Sequence, residues 1–217
     1  PGDLPIALDG VDTERLVEFA RSRSVTMATI VQFAWAVVLG NLLGAERVVF
    51  GSTVSGRPAD LPNVESMIGL FINTIPVAVD VGRDRTVADA LIRLQTDSTR
   101  LLDHHYLELS RILEAVDNPQ LFDTLVVFES YPVDSSGLGD ADIDGMRVLS
   151  AEGRDAAHYP LLVQAHHTDT LHVRVRYQPS RVDAHTAAGL AHRLEMVLRA
   201  IAAEPRTRIG ALDLLTP

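Results

Sequence analysis

The spacing of apolar residues along the chain separates helical segments from extended ones. Five segments carry apolar residues three or four positions apart, the period of a helix, and most of them follow a Thr or Asp that can cap the first turn. The predicted helices run from a cap at Asp12 or Thr13 to about Arg23, from Thr26 to about Leu43, from Thr86 to about His104, over Leu109–Val116, and from Asp183 to about Ala203.

Six other segments are rich in Val, Ile, Leu and Phe, which indicates strands. They are Val48–Val54, Phe71–Val81, Leu121–Ser130, Arg147–Ser150, Tyr159–His167 and Leu171–Gln178. The last two are expected to pair antiparallel, whereas residues 56–69 form an irregular loop and Pro132–Asp144 a long excursion. The alternation of helices and strands predicts the α/β class, with a mixed sheet flanked by helices.

The composition favours one globular domain and argues against two classes of binding partner. The chain has 217 residues, 47% of them hydrophobic, and no Cys, which fits a reducing cytoplasm. Its 19 basic residues, all Arg, face 29 acidic ones, so a net charge of −10 argues against nucleic acid and anionic membranes as partners. No apolar run reaches the ~18 residues of a membrane span. Because the chain opens on Pro1 without a Met, we expect a piece of a longer protein.

Histidine is the first candidate for catalysis. His104-His105 and His166-His167 are pairs, as in the acyltransferase motif HHxxxDG, but the Asp and Gly positions of that motif hold other residues after both pairs. His166, His167, Asp169 and His172 could also ligate a metal. Adjacent residues on a strand point to opposite faces, so solvated or hydrogen-bonded histidines are the simpler interpretation, and we expect no metal.

Other catalytic signatures are missing from the sequence. There is no G-x-S-x-G nucleophile turn, no G-x-G-x-x-G and no phosphate-binding loop, so no bound cofactor is expected. The residues by themselves predict an α/β domain without a self-sufficient catalytic set.

Two consecutive blocks carry a specific resemblance. Residues 50–58, FGSTVSGRP, and residues 64–77, VESMIGLFINTIPV, resemble the strand, loop and strand of a condensation domain from a nonribosomal peptide synthetase. The segment Ile68–Thr74 is similar to the family motif [IV]-G-x-F-[VI]-N-T. Segments 102–109, 121–129, 159–161 and 209–215 resemble later parts of the same family in the same order.

The chain departs from the family at two places. The Arg that usually follows the first motif is replaced by Ala78, and the Arg-Asp start of the motif at Leu121 is missing. The Ile68–Asn73 segment also differs from the Gly-Trp-Phe-Thr type of epimerization domains, so the resemblance favours amide formation over epimerization.

The resemblance implies a fold and a place in a larger domain. It implies that residues 1–217 are the C-terminal lobe, with a chloramphenicol-acetyltransferase-like fold, and that the N-terminal lobe carrying HHxxxDG is absent. A floor loop near residues 56–69 and a crossing segment near 135–154 are expected to reach toward that lobe. No catalytic residue is expected in this chain, which should be inactive alone.

The resemblance also implies substrates and partners. Asn73, Arg57, Gly69 and Ser55 are the candidate residues of a substrate tunnel between the lobes, and phosphopantetheine arms of carrier proteins enter as substrates. Asn73 could instead tie the loop to its strand, and Arg57 could meet a phosphate, a loop carbonyl or an acid such as Asp60 or Glu65. The expected partners are the N-terminal lobe, peptidyl carrier proteins, which are themselves usually acidic, and an adenylation domain.

Two other functions remain open from the sequence. The chain could be a scaffold lobe that binds neighbouring domains without contributing to catalysis. A single-lobe, coenzyme A-dependent acyltransferase has nearly this length, but it would carry HHxxxDG near its C-terminus, and the last 50 residues contain none.

Overall fold

The computed structural model describes residues 1–57, 61, 63–129 and 158–214. The predicted strand Arg147–Ser150, the excursion Pro132–Asp144 and the crossing segment near 135–154 lie outside the described residues.

The predicted helices are present, with one boundary corrected. They are α1 (Gly10–Arg23), α2 (Met27–Leu43), α3 (Val87–Leu101), α4 (Leu109–Ala115) and α5 (Ala184–Ala203), with short 3₁₀ turns at Val64–Ser66, Leu102–His104 and Ile209–Ala211. Thr26, Thr86 and Asp183 cap α2, α3 and α5 as predicted.

The cap of α1 was predicted wrongly. Asp9 takes this role, because its carboxylate accepts a hydrogen bond from the backbone N–H of Asp12 at 2.7 Å. Asp12 lies inside the helix and pairs with Arg199 of α5 at 3.0 Å, and the hydroxyl of Thr13 donates to the Asp9 carbonyl. Two polar residues three or four positions apart can each resemble a cap, and tertiary contacts decide between them.

The described strands form one mixed sheet. They are β1 (Gly2–Ile6), β2 (Arg47–Ser55), β3 (Ile72–Asp80), β4 (Thr124–Glu129), β5 (Leu161–His167) and β6 (Leu171–Tyr177), in the spatial order β1-β6-β5-β4-β2-β3. Strand β4 runs parallel to β2 and β5, and the other neighbouring pairs are antiparallel. The sequence did not predict β1, a short edge strand whose partner β6 lies near the other end of the chain.

The main core lies on one face of this sheet. Phe50, Val126, Val163 and Val175 are fully buried there, and α2 and α5 pack together above them. Helix α2 is buried along most of its length, and its Trp35 Nε1 donates a hydrogen bond to the Thr124 hydroxyl at 3.2 Å. Because side chains alternate along a strand, the intervening residues point to the second face of the sheet.

None of the described helices alone is long and apolar enough to cross a membrane. Helices α1 and α2 pass by length and composition when taken together, but they are bent by 107° where they meet.

Candidate functional site

Arg57 organises the loop that follows β2. Its guanidinium donates hydrogen bonds to the backbone carbonyls of Val64 and Met67, the latter at 3.0 Å. The same group lies 4.1 Å from the ring centroid of Phe71, a cation–π arrangement. Of the contacts that the sequence left open for Arg57, the one with loop carbonyls is present. The alternative partners, Asp60 and the side chain of Glu65, lie outside the part of the chain that the structure describes. The described residues of the floor loop, 56–69, are therefore arranged around one side chain.

Small residues allow the two ends of the floor loop to approach. The N–H of Gly56 donates to the carbonyl of Phe71 at 2.6 Å, and a Cβ on Gly56 would lie 2.7 Å from that oxygen. A Cβ on Gly69 would lie 3.1 Å from the ring of Phe71. Ser55, the last residue of β2, is exposed and stands opposite Ile72 of β3. Phe71 thus closes the loop against two glycines and Arg57.

Asn73 joins β3 to the turn between α3 and α4. Its side-chain amide donates hydrogen bonds to the carbonyls of His105 and Leu107, at 2.8 and 2.7 Å, and its oxygen accepts from the N–H of Thr74 at 2.9 Å. Both amide hydrogens and one acceptor position are used within the protein. Asn73 consequently fixes the position of the His105–Leu107 turn relative to the sheet.

The outer side of the floor loop exposes large apolar side chains. We name Met67, Ile68, Leu70 and Ile72 the apolar ridge; Ile68 and Leu70 are 103% and 92% exposed. Tyr106, in the turn held by Asn73, is also exposed. A concentration of exposed apolar residues on one loop is typical of a surface that binds another protein or domain.

The histidine pairs do not form a shared centre. His166 stacks on His172 of the neighbouring strand, with ring centroids 4.7 Å apart, and points to the second face of the sheet. His167 instead lines a groove against α1. Within the described ranges no group of three or more His, Asp or Glu residues is arranged to hold a metal ion.

Two of these histidines predict a pH dependence of stability. Burial lowers the pKa of His105, and burial together with the positive charge of His172 lowers the pKa of His166, against the opposing effect of Glu129. The folded protein therefore binds fewer protons here than the unfolded chain, whose histidines titrate near pH 6.5. We expect the free energy of unfolding, measured in urea, to decrease as the pH falls from about 7.5 to about 5.5.

The matched variant for this pH dependence is His105→Gln/His166→Gln. Its unfolding free energy should change less than that of the unmodified chain over the same pH interval. Equal slopes for the two proteins would contradict the assignment of the effect to these side chains.

Comparison with protein families tests the family resemblance that the floor loop and its motif suggested. Residues 2–217 match the family model described as condensation domain. The chain belongs to the condensation domain family. A linear gramicidin synthase from Brevibacillus parabrevis is 36% identical over 217 residues, which cover 99% of this chain and 4% of that synthase polypeptide.

Solved condensation-type structures share the fold. The X-domain in the complex of the X-domain and OxyB from teicoplanin biosynthesis aligns with 100% of this chain and 48% of its own, at 26% identity and a TM-score of 0.79. The first condensation domain of the CDA synthetase aligns with 100% of this chain and 48% of its own, with a TM-score of 0.77 at 22% identity, which supports the fold alone. This condensation-family chain thus spans about half of each solved chain.

The predicted family and the chloramphenicol-acetyltransferase-like fold class are confirmed. The tunnel roles of Asn73, Arg57, Gly69 and Ser55, and the absence of a catalytic residue, stay predictions. Sequence reasoning missed the turn at His105–Leu107 as the partner of Asn73, since the residues lie more than 30 positions apart. It also missed the stacked pair His166 and His172, although the predicted β5–β6 hairpin places these residues on neighbouring strands.

Proposed function

We propose that this chain is the C-terminal lobe of a condensation domain and forms one wall of an amide-forming site in a nonribosomal peptide synthetase. The observation that carries the proposal is the apolar ridge, presented outward by a loop that Arg57 holds folded. The chain spans about half of the solved chains it resembles, and in this proposal the part that corresponds to their other half would cover the ridge. We infer that the floor loop contacts the N-terminal lobe.

In the proposed reaction, the amine of the acceptor attacks the thioester carbonyl of the donor, and a tetrahedral intermediate collapses with loss of the donor thiolate. Both substrates are held on phosphopantetheine arms of carrier proteins, and no cofactor is bound by the domain itself. Holding the two arms in one channel supplies proximity, worth up to ~7–11 kcal/mol for well-aligned groups. The catalytic His is proposed to belong to the other lobe.

This chain's contribution would be to position the channel wall. Arg57 holds the floor loop against Phe71, and Asn73 holds the turn at His105–Leu107 beside β3. Ser55 and Gly69 lie on the same loop and its flanking strand, where they would shape the channel. In this proposal the four residues position and shape the channel wall, and none of them transfers a proton.

The proposed partners and cellular location follow from membership of the condensation domain family. The partners are the N-terminal lobe, peptidyl carrier proteins and the adjacent adenylation domain, all within a cytoplasmic synthetase, with no nucleic acid or membrane. The net charge of −10 argues against nucleic acid and anionic membranes as binding partners, because like charges repel.

A scaffold lobe that binds another protein is the second candidate. The similar X-domain was solved in a complex with OxyB, which favours a binding role for this type of fold. In that case the apolar ridge would bind a partner without any amide being formed.

A dipeptide-forming assay separates these functions. Donor- and acceptor-loaded carrier proteins are incubated with this chain, with the N-terminal half of a condensation domain, and with both. Product only in the mixture supports the proposal. Product from this chain alone would contradict it, and a stable complex of the halves that makes no product would favour the scaffold role.

A further inference from the structure

The first turn of α3 is held by a segment from far later in the chain. We name residues 205–210, which follow α5, the strap. The N–H of Val87 donates a hydrogen bond to the carbonyl of Thr207 at 3.0 Å. The N–H of Ala88 donates to the carbonyl of Pro205 at 2.8 Å. N–H groups in the first turn of a helix have no partner within it, and both donor residues are buried, so the strap provides the acceptors that they need.

The strap also lies close against the residues that lead into α3. The N–H of Ile209 donates to the carbonyl of Arg85, and the N–H of Gly210 donates to the carbonyl of Arg83, both at 2.9 Å. A Cβ on Gly210 would lie 2.9 Å from the Cβ of Arg83 and 3.0 Å from its carbonyl oxygen. Any side chain at Gly210 would therefore push the strap away from the start of α3.

Helix α3 connects the strap to the other end of β3. It begins shortly after Asp80, the last residue of β3, and the turn that follows the helix is held by Asn73, the second residue of that strand. With 15 residues the helix is about 22 Å long. Its buried residues all lie between Val87 and Leu94, and none of residues 95–104 is buried. The core therefore holds only the first half of α3.

One side chain holds the middle of α3. The Oε1 of Gln95 accepts hydrogen bonds from the N–H of Thr26 at 2.9 Å and from the hydroxyl of Thr29 at 2.7 Å, both at the start of α2. The hydrogen bonds within a helix make it stiff along its axis. A stiff helix that is held at its middle and displaced at its first turn is also displaced at its far end.

We propose that the strap positions the channel wall: it fixes the first turn of α3, and α3 carries that position to the turn at His105–Leu107. The inference rests on the proposed function, which makes this turn part of the wall. Gly210 is then a positioning residue, because it acts through α3 and touches no substrate. The strap and Asn73 fix the two ends of one stiff element, so a change at either end should alter the wall.

The test compares Gly210→Val with the matched control Gly10→Val, at a glycine with open space around the position of its Cβ. Gly210→Val should raise the hydrogen-exchange rate at residues 102–109 at least about fivefold, because the turn opens more often. It should lower the kcat of dipeptide formation by the assembled halves at least about threefold, with the KM for the loaded carrier proteins within about twofold. The control should change each of these quantities by less than about twofold.

Two further variants separate positioning from a general loss of stability. Val173→Ala removes buried methyl groups from β6, near the opposite edge of the sheet from β3, and should not raise exchange selectively at residues 102–109. Gly210→Ala is a milder form of the main change and serves if the valine variant does not fold. Adding Arg83→Gly to it removes the Cβ that the new methyl group meets, so the double variant should recover part of the lost rate.

Three results would overturn the proposal. One is an equal rise of exchange at residues 102–109 and throughout β6 in the Gly210 variants, which would show a general loss of stability. The others are unchanged exchange at the turn and a loss of kcat no larger than that of Val173→Ala. Failure of the proposed function is seen separately, as no dipeptide from the unmodified halves even when exchange at the turn responds to Gly210→Val.

Discussion

Arg57→Ala should lower dipeptide formation by the assembled halves at least about tenfold, because misplacing a positioning element costs this much or more. The change removes the two hydrogen bonds to the Val64 and Met67 carbonyls and the contact with Phe71. The loop would then lose the conformation that presents the apolar ridge. Because this site is partly exposed, the free energy of unfolding should decrease by only about 1–2 kcal/mol. Product rate and urea unfolding measure the two effects.

Arg57→Lys distinguishes loop organisation from a simple need for positive charge. Lysine keeps the charge but lacks the planar fork that reaches two carbonyls and stacks on a ring. If Arg57 organises the loop, the lysine variant should lose activity nearly as much as the alanine variant. Retention of full activity by Arg57→Lys would contradict loop organisation and favour a phosphate contact. Arg15→Ala, at an exposed position of α1, is the control for loss of one surface charge.

Asn73→Ala should decrease the free energy of unfolding by about 2–3 kcal/mol, since it leaves several part-buried polar groups without their partner. The carbonyls of His105 and Leu107 lose their donor, and the N–H of Thr74 loses its acceptor. The turn between α3 and α4 would separate from β3. Urea unfolding measures the stability, and hydrogen exchange at residues 102–109 measures the opening of the turn.

Asn73→Asp tests the direction of these hydrogen bonds. The carboxylate can still accept from Thr74, but it places negative charge beside two carbonyl oxygens that need a donor. It should therefore destabilise the protein at least as much as Asn73→Ala. Asn41→Ala, at an exposed amide on α2, should change the free energy of unfolding by less than about 0.5 kcal/mol. Loss of activity in Asn73→Ala with unchanged stability and exchange would contradict the structural role and indicate direct substrate contact.

Much of the secondary structure could be predicted from local signals. Thr26 caps α2 as expected, and the helix ends at Leu43 beside a left-handed Gly44, because a capping hydroxyl and a left-handed glycine act within a few residues of the helix they limit. The edge strand β1 gave no comparable signal. Five residues containing Pro5 become a strand only by pairing with β6, from Gly2 opposite Tyr177 to Ile6 opposite Val173.

The sequence could name candidate site residues, but it could not give their contacts. The motif at Ile68–Thr74 pointed to the floor loop and to Asn73, and the family relationship followed from it. The motif did not show that Arg57 would fold the loop through carbonyl contacts. Backbone carbonyls are the same in every residue, so a sequence cannot indicate which of them a side chain will reach.

The α/β class, most helix boundaries and the family could all be established from the order of residues alone. These depend on periodicity, caps and contiguous motifs, which operate over short distances along the chain. Only the tertiary structure shows that Asn73 holds the turn at His105–Leu107 and that Phe122 lies between Gly51 and Tyr159. Such contacts join distant segments, and they depend on strand order and register, which exist only after the chain has folded.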